Sequence, residues 1–168
     1  ATGKRKGFRV RKSAYYENMY DLFSKNNEIK YLVTRLDLNR YISLLNEEID
    51  ENIKKKEALS DSKCNDGKRK SYDETINSLR KKVDIAKQQK KEKGISIITL
   101  AGAMFMMTDP EIVYLSSGNY EKYLMYNSQY LIQWEMIKYA IKHGYKRYNF
   151  YGTPTTNKDD KNYGIYQF

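Results

Sequence analysis

The spacing of hydrophobic residues changes several times along the chain, between the period of a helix and that of a strand. Apolar residues recur at helical spacing after Ser13, which predicts a first helix that follows a capping residue and ends near Asn26. In "IKYLVTRLD" (29–37), Ile29, Tyr31 and Val33 alternate with Lys30, Leu32 and Thr34. That alternation is typical of a strand.

Two long amphipathic stretches follow this strand. Apolar residues recur at helical spacing from Leu38 to Leu59, and in steps of four and three from Tyr72 onward. A polar connector with the turn pair Asp66 and Gly67 separates the two stretches. The narrow apolar stripes predict an antiparallel pair of helices, a coiled-coil arm about 30 Å long at ~1.5 Å per residue.

Strand patterns resume once the arm ends. The segment "ISIITLAGAMFMM" after Gly94 is almost entirely apolar, which predicts a strand buried on both faces. Asp109 and Pro110 supply a turn, and "EIVYLSSG" predicts the next strand. Because strands lie on both sides of the arm, residues 40–93 are interpreted as an insertion between residues 1–39 and 94–168, which together form one α+β domain.

The last helix and strand have the clearest patterns. In "NSQYLIQWEMIKYAIKHG" one apolar stripe contains Tyr130, Trp134, Ile137 and Ile141, and Gly144 is placed to end the helix after His143. The alternation in "YKRYNFYG" then predicts a strand. Tyr148 and Phe150 share one of its faces, and Arg147, Asn149 and Tyr151 share the other.

Composition narrows the class of protein. The 168 residues are 40% hydrophobic and 31% charged, which suits one domain, and the sequence shows neither an apolar run of about 18 residues nor an apolar signal core, which favours a soluble, cytoplasmic protein. The formal net charge of +10 favours a polyanionic partner such as nucleic acid, phosphate or an anionic membrane surface. A single cysteine, Cys64, and a single histidine, His143, exclude a disulfide framework and a zinc site built from these residue types. Because it starts at Ala1 and stops at Phe168 without a polar tail, the chain is expected to be part of a longer protein.

The candidate chemistry lacks a protein nucleophile. No phosphate-binding GxxxxGK[ST] loop is present, and "GTPTT" (152–156) is the nearest substitute. A Ser/His/Asp triad would require His143 to leave the end of its helix. The remaining arrangement is a site of tyrosines, basic residues and backbone amides at strand ends, which could orient two substrates and stabilise a developing oxyanion.

Specific segments bear a resemblance to a known family. "LIQWEMIKYAIKHGYKRYNFYG", "DDKNYGIYQF", the opening "ATGKRKGFRVRKSAYYENMYDLF" and "IVYLSSGNYEKY" resemble the Fem-type aminoacyltransferases of bacterial cell walls (the FemA, FemB and FemX group). The resemblance implies an acetyltransferase (GNAT)-like mixed sheet flanked by helices, the second of two such domains, with an inserted coiled-coil arm. It also implies transfer of an amino acid, Gly or Ser, from aminoacyl-tRNA to the peptide of a lipid-linked or UDP-linked peptidoglycan precursor, with no cofactor and no metal.

The resemblance also implies site residues. Arg11 and Tyr15 match an Arg and a Tyr that contact the precursor's diphosphate in the family, and Tyr114 matches a substrate-contacting tyrosine. Ser116 replaces a second tyrosine there. Tyr151 and Gly152 are further expected substrate contacts. Phe168, the catalytic candidate, matches the aromatic residue before a lysine associated with the tetrahedral intermediate. Because the chain stops at Phe168, without that lysine and without the first domain, it is expected to be inactive by itself.

Two other hypotheses remain open from the residues alone. In one, the chain is a basic binding module whose arm contacts RNA without catalysis. In the other, the arm contacts a protein, as a self-association seam or through a related Fem-type protein, because Lys56 and Lys90 interrupt its apolar stripe. Residues 47–93 contain fourteen basic and eleven acidic residues, a small excess for an RNA clamp. Peripheral contact with a membrane is also compatible with the charge.

Overall fold

The computed structural model describes residues 11–60, 62–151 and 158–159. The chain forms two compact units, one of residues Ala1–Thr34 with Thr99–Phe168, and one of residues Arg35–Ile98. The first contains most of a four-stranded sheet and the helices packed on it. The second contains a pair of long helices.

The sheet has the order β1-β2-β3-β4, where β1 is Ile29–Asp37, β2 is Ile97–Thr108, β3 is Glu111–Asn119 and β4 is Arg147–Asn149. β2 and β3 are antiparallel and β3 and β4 are parallel, so the sheet is mixed. The N–H of Met107 donates to the carbonyl of Glu28 at 2.7 Å, which places the start of β1 beside the end of β2. β1 and β3 occur where alternation predicts them, and β2 occurs in the continuous apolar run. The predicted last strand is shorter than expected, because β4 ends at Asn149 and neither Phe150 nor Tyr151 belongs to it.

The core of this unit lies between the sheet and helix α4, which is Ser128–Lys142. Alternate residues of β2 point toward α4, as the two-residue period of a strand requires. The buried side chains of this core are Ala101, Ala103, Phe105, Met107, Ile112, Ile132, Met136 and Ala140. The face of β2 that points away from α4 is also largely buried. Burial on both faces explains why the residues of β2 are almost all apolar.

A β-bulge in β3 changes which side chains face α4. Met104 pairs with Ser116 whereas Phe105 pairs with Tyr114, so Leu115 is an extra residue on β3. Strict alternation would put Tyr114 and Ser116 on one face. The bulge instead puts Tyr114 with Phe105, on the face toward α4, and places Ser116 on the other face.

Helix α1, Ser13–Phe23, continues into a 3₁₀ turn that ends at Asn26, as predicted. The prediction that Ser13 caps this helix is wrong. Ser13 is the first helical residue, Lys12 occupies the capping position, and no side chain bonds to the free N–H groups. The first turn also contains no acidic residue.

The predicted helix is present as α4, and its predicted apolar stripe is not the face that packs against the sheet. Gly144 has φ of 76°, which suits glycine and ends the helix after His143. The residues that face the sheet are Ile132, Gln133, Met136 and Ala140. Of the predicted stripe, Tyr130, Trp134 and Ile141 are exposed and Ile137 is half-buried. Both stripes have helical spacing, and the sheet packs against the one with the smaller side chains.

The second unit is a helical arm made of α2, Leu38–Glu57, and α3, Asp66–Lys93. One cluster of buried side chains in the arm comprises Leu45, Ile49, Ile76, Leu79 and Val83. The ammonium of Lys56 lies 2.6 Å from the carboxylate of Asp73, and the guanidinium of Arg69 donates to the carbonyl of Leu59 at 2.9 Å. The end of α2 therefore lies beside the start of α3, as in an antiparallel hairpin, and Lys56 has a partner within the arm.

The predicted turn at Asp66 and Gly67 is wrong, because both residues belong to α3. The reversal is made earlier, where Lys63–Asn65 form a 3₁₀ turn and the Asn65 amide donates to the carbonyl of Ser60 at 2.9 Å. An acidic residue in the first turn suits the helix dipole, which explains why Asp66 begins the helix. With 28 residues α3 is about 42 Å long, longer than predicted.

Candidate functional site

Arg11 and Tyr15 lie together at the start of α1. The guanidinium carbon of Arg11 is 5.3 Å from the centre of the Tyr15 ring, within the range of a cation–π interaction. The Tyr15 ring in turn meets the ring of Tyr16 edge to face at 5.3 Å. Because both Arg11 and Tyr15 are exposed, the cation and the phenol are available to an external ligand.

The start of α1 has a positive electrostatic environment. Arg11 and Lys12 directly precede the helix, and neither an acidic side chain nor a side-chain cap offsets the partial charge of the first N–H groups. Helix N-termini with basic neighbours favour anions such as phosphate and carboxylate. The pair is therefore suited to an anionic ligand.

A cluster of tyrosines fixes this end of α1 on the sheet. The hydroxyl of Tyr31 on β1 donates to the carbonyl of Tyr16 at 2.8 Å, and its ring lies 5.9 Å from that of Tyr20. Burial, and then the neighbouring Tyr15 and Tyr16, raise the pKa of Tyr31. Tyr16 and Tyr31 were not predicted as site residues, although the alternation of β1 places Tyr31 on the face away from Leu32.

Tyr114, the third predicted site residue, lies on the α4 side of the sheet. Its hydroxyl donates to Oε1 of Gln129 at 3.3 Å, and its ring is 5.4 Å from the ring of Phe105. Burial is the main cause that raises the pKa of Tyr114. The structure thus gives Tyr114 a packing and hydrogen-bonding role, and its substrate contact stays a prediction.

Polar side chains continue from Tyr114 across this layer. The Gln129 amide donates to Oδ1 of Asn119 at 2.9 Å, and Tyr148 donates to Gln133. No buried side-chain nitrogen or oxygen among the described residues lacks a hydrogen-bond partner. This network ties β3 and β4 to α4. The roles of Gln129 and Gln133 in this network were not predicted, because most of the surrounding residues of α4 are apolar.

Tyr151 is exposed and follows β4 with a φ of 55°, which is unusual for a residue with a Cβ atom. Its N–H donates to Oδ1 of Asn149 at 2.8 Å, and this bond holds the turn. Gly152, Phe168 and the predicted phosphate loop "GTPTT" lie outside the described residues.

A cleft of about 320 Å³ opens on the sheet and was not predicted. Gly102 and Gly118 are register partners on β2 and β3, and together they remove side chains from the cleft floor. Glycine in two adjacent strands is a signal of close approach by a ligand or backbone. The lining residues are Val33, Thr99, Ala101, Gly102, Gly118, Asn119 and Tyr120.

Comparison with known proteins assigns the chain to a family. A sequence model described as the FemAB family matches residues 1–168. The chain belongs to the FemAB family. The predicted Fem-type resemblance is thereby confirmed, and the FemAB match extends over both the sheet unit and the helical arm.

Relatives of this FemAB-family chain include named enzymes. It is 28% identical over 173 residues to aminoacyltransferase FemA of Staphylococcus epidermidis, covering 99% of this chain and 41% of FemA. It is 28% identical over 172 residues to a lipid II:glycine glycyltransferase of the same species, with the same coverage. The crystal structure of FemX is similar with a TM-score of 0.65 and 26% identity, covering 99% of this chain and 43% of FemX. The chain therefore spans about two fifths of the length of these relatives.

Proposed function

We propose that the protein containing this chain transfers an amino acid to the peptide of a peptidoglycan precursor and so builds the interpeptide bridge. The FemAB match over all 168 residues supports this, as do relatives named aminoacyltransferase FemA and lipid II:glycine glycyltransferase. We further propose that the sheet unit is acetyltransferase-like, that the arm is a coiled coil, and that the reaction takes place in the cytoplasm.

The proposed donor is an aminoacyl-tRNA carrying Gly or Ser. The amine of the precursor peptide forms a bond to the carbonyl carbon of the aminoacyl ester. The ester C–O bond then breaks, and the proton lost by the amine goes to the departing ribose oxygen. The ester is already activated, so orientation of the two substrates and stabilisation of the oxyanion are the contributions required of the protein.

The observation that carries the proposal is the contact between the Arg11 guanidinium and the Tyr15 ring at the start of α1. We assign this pair to the diphosphate of the precursor. The planar guanidinium can donate two hydrogen bonds to phosphate oxygens, and the tyrosine hydroxyl can add a third. The basic, uncapped helix start adds to the attraction.

The test is a transfer assay with charged tRNA and lipid-linked or UDP-linked precursor, using a full-length protein that contains these 168 residues. Arg11→Ala is expected to raise the KM for the precursor roughly tenfold or more, the ~1.5–3 kcal/mol of a hydrogen bond to a charged group. Arg11→Lys keeps the charge and loses the two-pronged geometry, so it should restore only part of the affinity. Arg40→Ala, at an exposed position on α2, is the matched control.

Two outcomes contradict the proposal. One is an unchanged KM in Arg11→Ala, which removes the diphosphate assignment. The other is the absence of transfer to any precursor by the full-length protein, which removes the enzyme assignment. The 168-residue chain alone is expected to give no turnover.

A second candidate function, RNA binding by the arm, is favoured by the charge on α3. That helix has ten Lys and Arg against five Asp and Glu, whereas α2 has four against five. The whole excess lies in the last fifteen residues of α3, where seven basic residues stand against two acidic ones. These basic residues are all exposed: Arg80, Lys81, Lys82, Lys87, Lys90, Lys91 and Lys93.

Replacing Arg80, Lys87 and Lys91 with Gln should lower tRNA affinity and reduce its salt dependence, because fewer phosphate contacts release fewer counterions. Replacing Lys54, Lys55 and Lys68 instead is a control of equal charge. Equal effects of the two sets, or tRNA binding unchanged after removal of residues 40–92, would exclude this function.

A further inference from the structure

Helix α4 presents a second apolar face, directed away from the sheet. Leu131 is 51% exposed, Trp134 58% and Ile141 75%. The core lies on the opposite side of the helix, against Ile132, Met136 and Ala140, so this exposure does not arise from fraying at a helix end. Trp134 is the only tryptophan of the chain. A large exposed apolar surface commonly marks an interaction site.

The apolar face is continuous along the helix. Tyr130, Trp134 and Ile141 are separated by four and seven residues, so they form one stripe about 16 Å long at ~1.5 Å per residue. Leu124 and Met125, in the 3₁₀ helix just before α4, are also exposed large side chains. Exposed large apolar side chains therefore occur both just before α4 and along most of its length.

Cations lie along the same stripe. Lys138 follows Trp134 by one turn, with its ammonium 2.7 Å from the carboxylate of Glu135, and Lys142 follows Lys138 by another turn. No ion pair joins Lys142 to another residue of the described part of the chain. Within α4 itself, Lys138 and Lys142 stand against one acidic residue, Glu135. The surface is thus both apolar and basic.

We propose that this face of α4 rests on the surface of an anionic lipid bilayer. Trp and Tyr are enriched at the level of lipid headgroups, and amphipathic interfacial helices combine them with Leu and Ile on one side and Lys on the flanks. Lysine stems can lie on the apolar layer while their ammonium groups reach lipid phosphates. In the described part of the chain, none of the helices has the length and apolar character of a membrane span.

The charge pattern favours a bilayer over another protein. The centres of protein–protein interfaces are depleted of lysine, yet Lys138 lies beside the middle of this stripe. An anionic headgroup layer accepts both the apolar side chains and the cations. The inference does not rest on the proposed transfer reaction, because lipid contact requires neither tRNA nor peptidoglycan precursor.

The single tryptophan makes the contact directly measurable. Phosphatidylglycerol vesicles added to the 168-residue chain should shift the fluorescence of Trp134 to shorter wavelength, and pure phosphatidylcholine vesicles should do so much less. Lys142→Gln should weaken vesicle binding about fivefold, the effect of ~1 kcal/mol per cation near the surface. Leu131→Ser should weaken it at least as much.

Leu44→Ser is the matched control, because Leu44 on α2 is 52% exposed and carries the same side chain. Circular dichroism verifies that each variant is folded. The proposal is overturned if vesicles sediment with the chain without shifting Trp134 emission, because another basic surface then binds. It is also overturned if Leu44→Ser weakens binding as much as Leu131→Ser. A shift that appears with rising protein concentration in the absence of lipid would show that a second copy covers this face.

Discussion

The phenol hydroxyl of Tyr148 on β4 donates a hydrogen bond to Oε1 of Gln133 on α4, and this bond joins the short last strand to the helix inside the core. Gln133 is a buried polar residue, so its carbonyl depends on this donor. Tyr148→Phe removes the donor and leaves the carbonyl buried and unsatisfied. The expected loss is about 1–3 kcal/mol in the free energy of unfolding, measured by urea denaturation.

A double-mutant cycle separates this hydrogen bond from packing. Tyr148→Phe with Gln133→Leu removes both polar groups, and should be less destabilised than the sum of the two single variants. Tyr151→Phe removes an exposed hydroxyl just beyond the same strand and should stay within about 0.5 kcal/mol of wild type. Simple additivity in the cycle would show that the hydrogen bond contributes nothing.

The same environment predicts a loss of stability at alkaline pH. Burial, and then the neighbouring Tyr114, raise the pKa of Tyr148 well above its ordinary value of 10.0. Above about pH 10 the unfolded chain therefore releases a phenol proton that the folded chain retains. Stability is complete below that pH and falls as pH rises toward the folded-state pKa, by at most ~1.4 kcal/mol per pH unit for each such group.

Urea denaturation at pH 8, 10 and 11 measures this slope, and absorbance of tyrosinate near 295 nm reports the phenol directly. Tyr148→Phe should flatten the slope, and the remaining decline would come from Tyr114, Tyr31 and other tyrosines with raised pKa. An equal slope in wild type and variant would contradict the assignment to Tyr148.

The sequence predicts individual helices and strands better than it predicts which of their faces pack against other elements. Strand β1 runs from Ile29 to Asp37, as its alternation indicates, because a two-residue period and a polar boundary are local properties. The buried face of α4 depends on which stripe the sheet can accommodate, so helical spacing alone could not choose between Trp134 and Met136. The start of α3 at Asp66 was missed because Gly67 indicates a turn unless the helix packs against a partner.

In the candidate site, too, local contacts could be predicted from the sequence, whereas contacts that depend on strand pairing could not. Arg11 lies just before α1 and Tyr15 lies in its first turn, so their contact joins residues that are close in sequence. The orientation of Tyr114 depends on the bulge at Leu115, which no alternation in "EIVYLSSG" reveals. The cleft at Gly102 and Gly118 requires the pairing of β2 with β3.

The cap of α2 gives a prediction for the helical arm. Oδ1 of Asp37 accepts hydrogen bonds from the N–H groups of Asn39 at 2.9 Å and Arg40 at 3.2 Å. Asp37→Ala leaves both N–H groups without this acceptor, and should cost about 1 kcal/mol in thermal or urea unfolding. Asp37→Asn should retain most of the stability, because asparagine is also a good cap. Asp50→Ala, at an exposed position within α2, is the control, and a loss as large as that of Asp37→Ala would contradict the capping role.

Gly67 within α3 and Gly94 at its C-terminal cap form a pair at which the same substitution should have opposite effects. Gly94 caps the end of the helix with a φ of 65°, a conformation that costs a residue with a Cβ atom roughly 1–2 kcal/mol. Gly67 lies within the first turn of the same helix, and a Cβ atom built at either position meets no atom within 4 Å. Space is therefore equal at the two positions, and only the backbone conformation differs.

Gly94→Ala should accordingly destabilise the chain, whereas Gly67→Ala should stabilise it by up to about 1 kcal/mol, since alanine loses less backbone entropy in a helix. Gly94→Asn is the conservative variant, because asparagine tolerates the left-handed conformation better than alanine, and it should recover part of the loss. Urea denaturation of the three variants measures the effects. Destabilisation by Gly67→Ala equal to that by Gly94→Ala would show that residue 67 is not helical in solution, and that the reversal between α2 and α3 extends further along the chain.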